Sequence, residues 1–315
     1  MKTMSSQPIN NRYVATIVAR KNESQLGPAI GARVLTLLRP AFEKAGATLI
    51  PRPPRGISPE VVDFDVTFES SEPTISLRRA LESTLASIDA DLALQRETVF
   101  STRKKLVVFD LDSTLIAEEV IDECAREMGV YESVAAVTRD TMKGQIPFAE
   151  SLHKRVRFLK GLTLEQVDAV LARLRLAPGA EALTKALREH RVQTAIISGG
   201  FTFGANAIQK RLGTDVSFAN ELEFENGQCT GRVLGSVIDA KGKADKLDEL
   251  RKKHGFQIEE TVAVGDGAND LPMMALAGLG IAFNAKAEVR AIAQVHLNQS
   301  SLTSILYLLG PFSND

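Results

Sequence analysis

Two stretches of this 315-residue chain set paired aspartates around a hydrophobe, with a threonine just behind: Asp63-Phe64-Asp65-Val66-Thr67 and Asp110-Leu111-Asp112-Ser113-Thr114. Two carboxylates at that spacing can serve as a covalent nucleophile and its proton-transfer partner. They can equally be the wet face of a strand. Around the first pair, Val62, Phe64, Val66 and Phe68 alternate strictly with Asp63, Asp65, Thr67 and Glu69. A period of two collects the polar side chains on one face, so Asp63 and Asp65 are expected to face water. The second pair follows KKLVVF, the continuous apolar run of a parallel strand buried on both faces. A helical stretch, TLIAEEVIDECAREMG, comes next. Ligands of an open parallel sheet bind just beyond the carboxyl ends of its strands. Asp110 and Asp112 are therefore the pair with chemistry in reach.

Three later loops also follow apolar runs. ISGGF offers Ser198 and Gly199, DAKGKADKL offers Lys241, and VAVGDGANDLPMM offers Asp266, Asn269 and Asp270. Singly each has a plain explanation: a turn, a solvated lysine, a strand-to-helix connection. With the strands side by side, Asp110, Asp112, Asp266 and Asp270 meet at one sheet edge. Two carboxylates about 4 Å apart repel by roughly 4 kcal/mol at an effective dielectric near 20. Several stay ionised together only around a cation. All-oxygen hard donors suit Mg²⁺, which keeps waters and binds beside phosphate oxygens. A serine hydroxyl, the N–H groups of a Gly-rich turn and a lysine complete a phosphate cradle.

The elements that must position these groups divide in two. Residues 1–100 read as strand, helix, strand, strand, helix, strand, the order of a small α+β domain. Residues 101–315 read as α/β, with an all-helical block at about 118–177 inserted after the first strand as a cap. Strand–helix alternation resumes at VQTAIISGG. Asn226-Gly227, inside FENGQCTG, suits the type I′ turn of a hairpin.

Bulk composition narrows the function classes. With 44% hydrophobic and 24% charged residues the chain reads as an ordinary globular protein. A net charge of -1 gives no electrostatic reason for nucleic acid or an anionic membrane as partner. The first residues lack the apolar core of a signal peptide, and no run reaches the roughly 18 apolar residues of a spanning helix. A cytoplasmic protein is expected. Cys124 and Cys229 sit in unrelated contexts, which excludes a disulfide scaffold. The four histidines show no zinc-ligand spacing.

The ordered motifs DLDST, ISGGF, AKGK and GDGAND resemble those of the haloacid-dehalogenase-like phosphatases. The likeness covers about residues 103–285 and extends into the cap at MKGQIPFAESLHKRV. There it resembles the family members that act on O-phospho-L-serine. The resemblance implies a Rossmannoid parallel sheet with an inserted helical cap. It implies Asp110 as the nucleophile that forms an aspartyl-phosphate, and Asp112 as the general acid/base. It implies Mg²⁺ held by Asp110, the Asp112 backbone carbonyl and Asp266, with Asp270 as support. Ser198, Gly199, Lys241 and Asn269 match phosphoryl and substrate contacts. Glu119 and Arg155 match the residues that grip the substrate's amino and carboxylate groups, with Met142 and Phe148 shaping the cap side. On residue chemistry alone, Arg155 sits on a basic helix face of the kind usually solvated, and Glu119 could be a helix-start charge.

The N-terminal domain resembles an ACT-like fold in element order. The ligand-binding turn of that fold is not clear in ARKNESQLGPAI, so dimerisation or packing stands beside amino-acid binding as its role. The leading expectation is a Mg²⁺-dependent phosphatase releasing L-serine and phosphate. The alternatives are the same chemistry on another small phosphomonoester, or an amino-acid-sensing protein with a vestigial phosphatase site. The intact Asp110, Asp112, Lys241 and Asp266 argue against the last. A homodimer is left open.

Overall fold

The structure, a computed structural model, describes residues 11–20, 30–55, 61–69, 73–142 and 145–310. The chain forms two compact units: 1–103 with 295–300 and 304–315, and 104–294 with 301–303. The C-terminal segments, read from sequence as part of the second domain, thus group with the first unit. The loop 21–29, where a ligand turn was sought, lies outside the described residues.

In the first unit, β1 (Arg12–Ala19), β2 (Ala47–Pro51), β3 (Val61–Phe68) and β4 (Ala90–Arg96) form an antiparallel sheet in the order β2-β3-β1-β4. Helices Ile30–Lys44 and Ile75–Ala86 supply Val34, Leu38, Phe42, Leu77, Leu81 and Leu85 to the core against Phe64, Val66 and Phe68.

One expectation fails here. Asp63 does not face water: it is buried, accepting from Thr16 Oγ1 at 2.6 Å and from Arg55 Nε at 2.6 Å. Asp65 pairs with Arg52 at 2.8 Å. Alternation assigns a side chain to a face; it does not say what covers that face. Here Arg55, which also donates to Tyr307 O, covers it. The pair is structural, and a buried carboxylate needs such partners.

The second unit is built on a sheet in which β10 (Leu279–Phe283), β9 (Thr261–Gly265), β5 (Leu106–Phe109), β6 (Gln193–Phe201), β7 (Val216–Glu225) and β8 (Gln228–Leu234) lie in that order. All neighbours are parallel except the hairpin β7–β8. All four residues of β5 are buried, as its apolar run requires. Asn226 and Gly227 both take positive φ (52° and 78°), the backbone of a type I′ turn. Four helices, Val120–Glu127, Tyr131–Met142, Phe148–Phe158 and Leu164–Arg173, form the insertion between β5 and β6. Cys124 and Cys229 are free and buried. Burial pushes the Cys124 thiol up to about 12, a packing residue rather than a nucleophile.

Candidate active site

Strand register brings the motifs together. Phe109 lies between Ile196 on β6 and Val264 on β9, so β5 and β9 end within a residue of one line while β6 runs on to Phe201. Asp110 follows directly and ties its N–H to Val264 O at 2.9 Å. The β6–β7 ladder slips between Ile197 and Phe201. That irregularity frees Ser198-Gly199-Gly200 to turn toward the site. A Cβ on Gly200 would stand 2.7 Å from Asp112 Oδ2. Only glycine permits that approach.

Asp110 is 5% exposed, and Lys243 Nζ, with no exposure at all, donates to its Oδ1 at 2.5 Å. The same ammonium donates to Asp270 Oδ1 at 2.6 Å. Asp270 Oδ2 accepts from Gly267 N at 3.0 Å. Burial works against the Lys243 charge, but Asp110 and Asp270 more than offset it and hold the lysine above its ordinary range. Asp110 is raised well above the usual carboxylate value by burial and then by Asp270, against the pull of Lys243.

Asp112 is held apart from this group. Its Oδ1 accepts from Val120 N at 2.7 Å and its Oδ2 from Ser198 Oγ at 3.1 Å. Burial and then the nearby Glu119 charge push it up to about 7. A carboxyl that exchanges its proton near neutrality suits general acid/base work. Asp266, which accepts from Thr114 Oγ1 at 3.2 Å, is pushed up to about 6 by burial, then Asp270.

Carboxylate oxygens of Asp110, Asp266 and Asp270 lie within 4.8 Å of one another. Buried carboxylates this close raise one another's proton affinity, and a divalent cation among them reverses that. An all-carboxylate oxygen set at the end of a sheet is hard-cation chemistry. The donor set fits a metal ion. Neither Asp270 oxygen is free of a protein partner, so Asp270 acts as much to brace Lys243 as to face an ion.

A cavity of about 500 Å³ opens between the sheet and the inserted helices. Asp110, Asp112, Gly199, Asp266 and Asn269 line it from the sheet side, and Glu119, Phe148 and Arg155 from the cap. Arg155 is half-buried, burial lowers its pKa, and its Nε has no hydrogen-bond partner. Its guanidinium carbon stands 6.0 Å from the centre of the Phe148 ring. Glu119 precedes helix Val120–Glu127 and accepts from Ser113 Oγ at 2.8 Å. Met142 closes helix Tyr131–Met142, and its side chain lies outside the described residues.

Lys241 is the residue that the structure does not bring in. Its side chain is 81% exposed and pairs with Asp245 at 2.5 Å. Lys243 stands in its expected place. Helix Ala240–His254 starts from Asp239, which accepts from Gly242 N at 2.8 Å. Two residues along a helix amount to about 200° of rotation, so Lys241 and Lys243 take opposite faces. The AKGK motif contains both lysines, and only helix phase separates them. Sequence reading also passed over Asn220, whose buried side chain donates to Gly199 O at 2.9 Å and accepts from Ile238 N at 2.7 Å. It pins the Ser198 turn to the segment that leads into Lys243.

A parallel sheet whose strand ends gather carboxylates, a buried lysine and a glycine turn under a helical cap defines a phosphoryl-transfer type of hydrolase. Residues 107–275 match the family model of the haloacid dehalogenase-like hydrolases, and the chain belongs to that family. A phosphoserine phosphatase from Archaeoglobus fulgidus is 42% identical over 233 residues, 74% of this chain and 68% of that one. The chain spans 60% of the phosphoserine phosphatase of Streptomyces coelicolor. Among solved structures, a HAD-family hydrolase from Salmonella enterica serovar Typhi superposes with a TM-score of 0.78 at 27% identity, covering 94% of this chain and 98% of that one. A phosphoserine phosphatase carrying an analogue of the phospho-aspartyl intermediate gives 0.61 at 43% identity, covering 65% of this chain and 98% of that one. No helix among the described residues is long and apolar enough to cross a membrane.

Proposed function

We propose that this chain is a Mg²⁺-dependent phosphatase that hydrolyses O-phospho-L-serine to L-serine and phosphate in the cytoplasm. The carrying observation is the pairing, across one cavity, of Asp110 on the sheet side with Glu119 and Arg155 on the cap side. An amino-acid phosphate has a group for each. Phosphate meets Asp110, carboxylate meets the guanidinium fork of Arg155, and ammonium meets Glu119. The phosphoserine phosphatases among the relatives support the same reading.

In this mechanism an Asp110 oxygen attacks phosphorus in line, and the bond to the serine oxygen breaks. Asp112 gives its proton to the departing oxygen, leaving serine and an aspartyl-phosphate. Asp112, now a carboxylate, takes a proton from water as that water attacks phosphorus. The bond to Asp110 breaks and inorganic phosphate leaves. Lys243, the Ser198 hydroxyl, the Gly199 amide and Asn269 hold the phosphoryl oxygens while charge redistributes. A Mg²⁺ ion held by Asp110, Asp266 and the Asp112 carbonyl, with Asp270 behind, would draw off phosphoryl charge and keep Asp110 ionised. Phe148 closes the cap side against water.

Phosphate release from a panel of phosphomonoesters, with and without EDTA, tests the reading. O-phospho-L-serine should lead the panel and EDTA should abolish its turnover. A phosphorylated homoserine or threonine in first place would move the substrate assignment, and turnover indifferent to EDTA would remove the metal.

A further inference from the structure

The insertion leaves and rejoins the sheet domain through two short segments, 115–118 and 174–177, that lie antiparallel. Ile116 bridges Leu176, Ala117 N donates to Arg175 O at 3.0 Å, and Ala177 N donates to Leu115 O at 2.8 Å. The next rung of this ribbon is not main chain to main chain. The Arg175 N–H donates to Glu118 Oε2 at 2.9 Å, and Arg175 Nε donates to Oε1 at 2.6 Å. A side-chain carboxylate finishes the ladder.

The entrance segment is in turn fastened to the site. Ser113, held at φ 59°, donates its N–H to Glu118 O at 3.4 Å and its hydroxyl to Glu119 Oε1 at 2.8 Å. Val120 N donates to Asp112 Oδ1. A non-glycine residue in the left-handed region persists only where its surroundings hold it. The loop 112–120 is therefore one cross-braced unit. It carries the acid/base at one end, the ammonium-binding carboxylate beside it, and Glu118 as its grip on the returning strand.

We propose that Glu118 is a positioning residue: its carboxylate clasps the two hinge segments of the cap and so sets Glu119 and Arg155 over Asp112 and Asp110. The part of this that concerns substrate rests on the phosphoserine reading above. An ion pair with Arg175 alone would count for little, since that side chain is 78% exposed and such pairs contribute weakly. The bond to the Arg175 amide, part of the hinge backbone, carries the clasp. Weakening it lowers the population of the state in which cap and floor meet one substrate, which appears as weaker binding of any ligand that spans both.

The test uses the full chain with Glu118→Ala, Glu118→Gln and Arg175→Ala. Hydrogen exchange at the Arg175 and Ala177 amides should quicken by about tenfold or more in Glu118→Ala. It should change little in Arg175→Ala, where the amide contact survives. The KM for O-phospho-L-serine should rise by about 10- to 100-fold in Glu118→Ala, the scale of one charge-assisted hydrogen bond. Glu118→Gln, which keeps an acceptor, should fall in between and remains informative if Glu118→Ala does not fold. The kcat/KM for p-nitrophenyl phosphate, which offers the cap no amino-acid group, should fall by less than about threefold. Unchanged exchange in both Glu118 variants, equal effects of Arg175→Ala and Glu118→Ala, or proportional losses on both substrates would each overturn the clasp. A wild type inactive on phosphoserine would overturn the substrate reading instead and leave the exchange result to decide the hinge.

Discussion

Lys243 Nζ donates to Asp110 Oδ1 at 2.5 Å from a side chain with no solvent exposure, while Lys241, two residues earlier, is 81% exposed. The buried lysine holds the nucleophile and Asp270 together, and it is the fixed cation nearest the attacking oxygen. Lys243→Ala should reduce kcat for phosphoserine by about 10²- to 10³-fold, on the scale of losing a positioned group that stabilises the transition state. It should also lower stability, because removing one partner of a buried ion pair typically costs about 3–5 kcal/mol. Lys241→Ala should keep kcat within about twofold. Steady-state kinetics on the folded fraction settle the matter, and equal losses from both variants would put the wrong lysine in the site.

The same contrast shows what the sequence could and could not reveal. The apolar run of β5 and the Asn226-Gly227 turn are local signals, and local signals read directly. So did the gathering of Asp110, Ser198 and Asp266, because parallel strands end at a common edge. Helix phase at Lys241 and Lys243 was not legible: it depends on Asp239 fixing where the helix starts. Nor was the burial of Asp63, whose partner Thr16 is 47 residues away and comes alongside only through the β1–β3 register. Glu118 shows the same limit, since its partner lies 57 residues further on.

Those partners change what is expected of the first aspartate pair. Asp110→Asn should abolish turnover, since an amide cannot form the acyl-phosphate. Asp63→Asn should leave kcat of the folded enzyme nearly unchanged and lower stability by about 1–3 kcal/mol, the usual result of breaking bonds to a buried charge. Paired urea melts and activity assays separate the two effects. A large fall in kcat from Asp63→Asn at full stability would tie that unit to the chemistry.

Asp112 carries the proton traffic, and its position gives the pH dependence a sign. Held at about 7 by burial and Glu119, it is protonated below that pH, the form needed to release serine. The kcat/KM for phosphoserine should therefore fall on the alkaline side with a midpoint near that value. Asp112→Asn should lose about 10² to 10⁴ in kcat and lose this limb of the profile. Mg²⁺ affinity should survive, because the Asp112 side chain lies outside the carboxylate cluster. A parallel loss of Mg²⁺ affinity and rate would make the side chain a ligand.

Stability should respond to pH and metal together. Asp112 and Asp266 are both raised, to about 7 and about 6, so in this range the folded chain binds more protons than the unfolded one. Without metal, the stability they contribute is full below the ordinary carboxylate pKa and is lost as pH rises through those two values. A cation competes with protons for Asp266 and Asp110 and is favoured as pH rises. The increase in Tm on adding Mg²⁺ should accordingly be larger at pH 8 than at pH 5, in an enzyme kept free of metal until the addition. Thermal melts at the two pH values measure it. An equal or reversed difference would place the ion away from these carboxylates.

Substrate choice should separate from the chemistry at Arg155. The guanidinium offers a bidentate, permanently charged grip that lysine cannot reproduce, and its Nε is buried with no protein partner. Truncating one side of a desolvated charge pair typically costs about 2–5 kcal/mol. At about 1.4 kcal/mol per decade, Arg155→Ala should lower kcat/KM for phosphoserine by roughly 30-fold to several thousand-fold. Arg155→Lys should recover only part of it. p-Nitrophenyl phosphate has no carboxylate for the arginine to hold and should lose much less. The decisive quantity is the ratio of the two kcat/KM values in wild type and variant. If that ratio does not move, Arg155 serves the phosphate or the packing of the cap, and the carboxylate of the substrate must be held elsewhere.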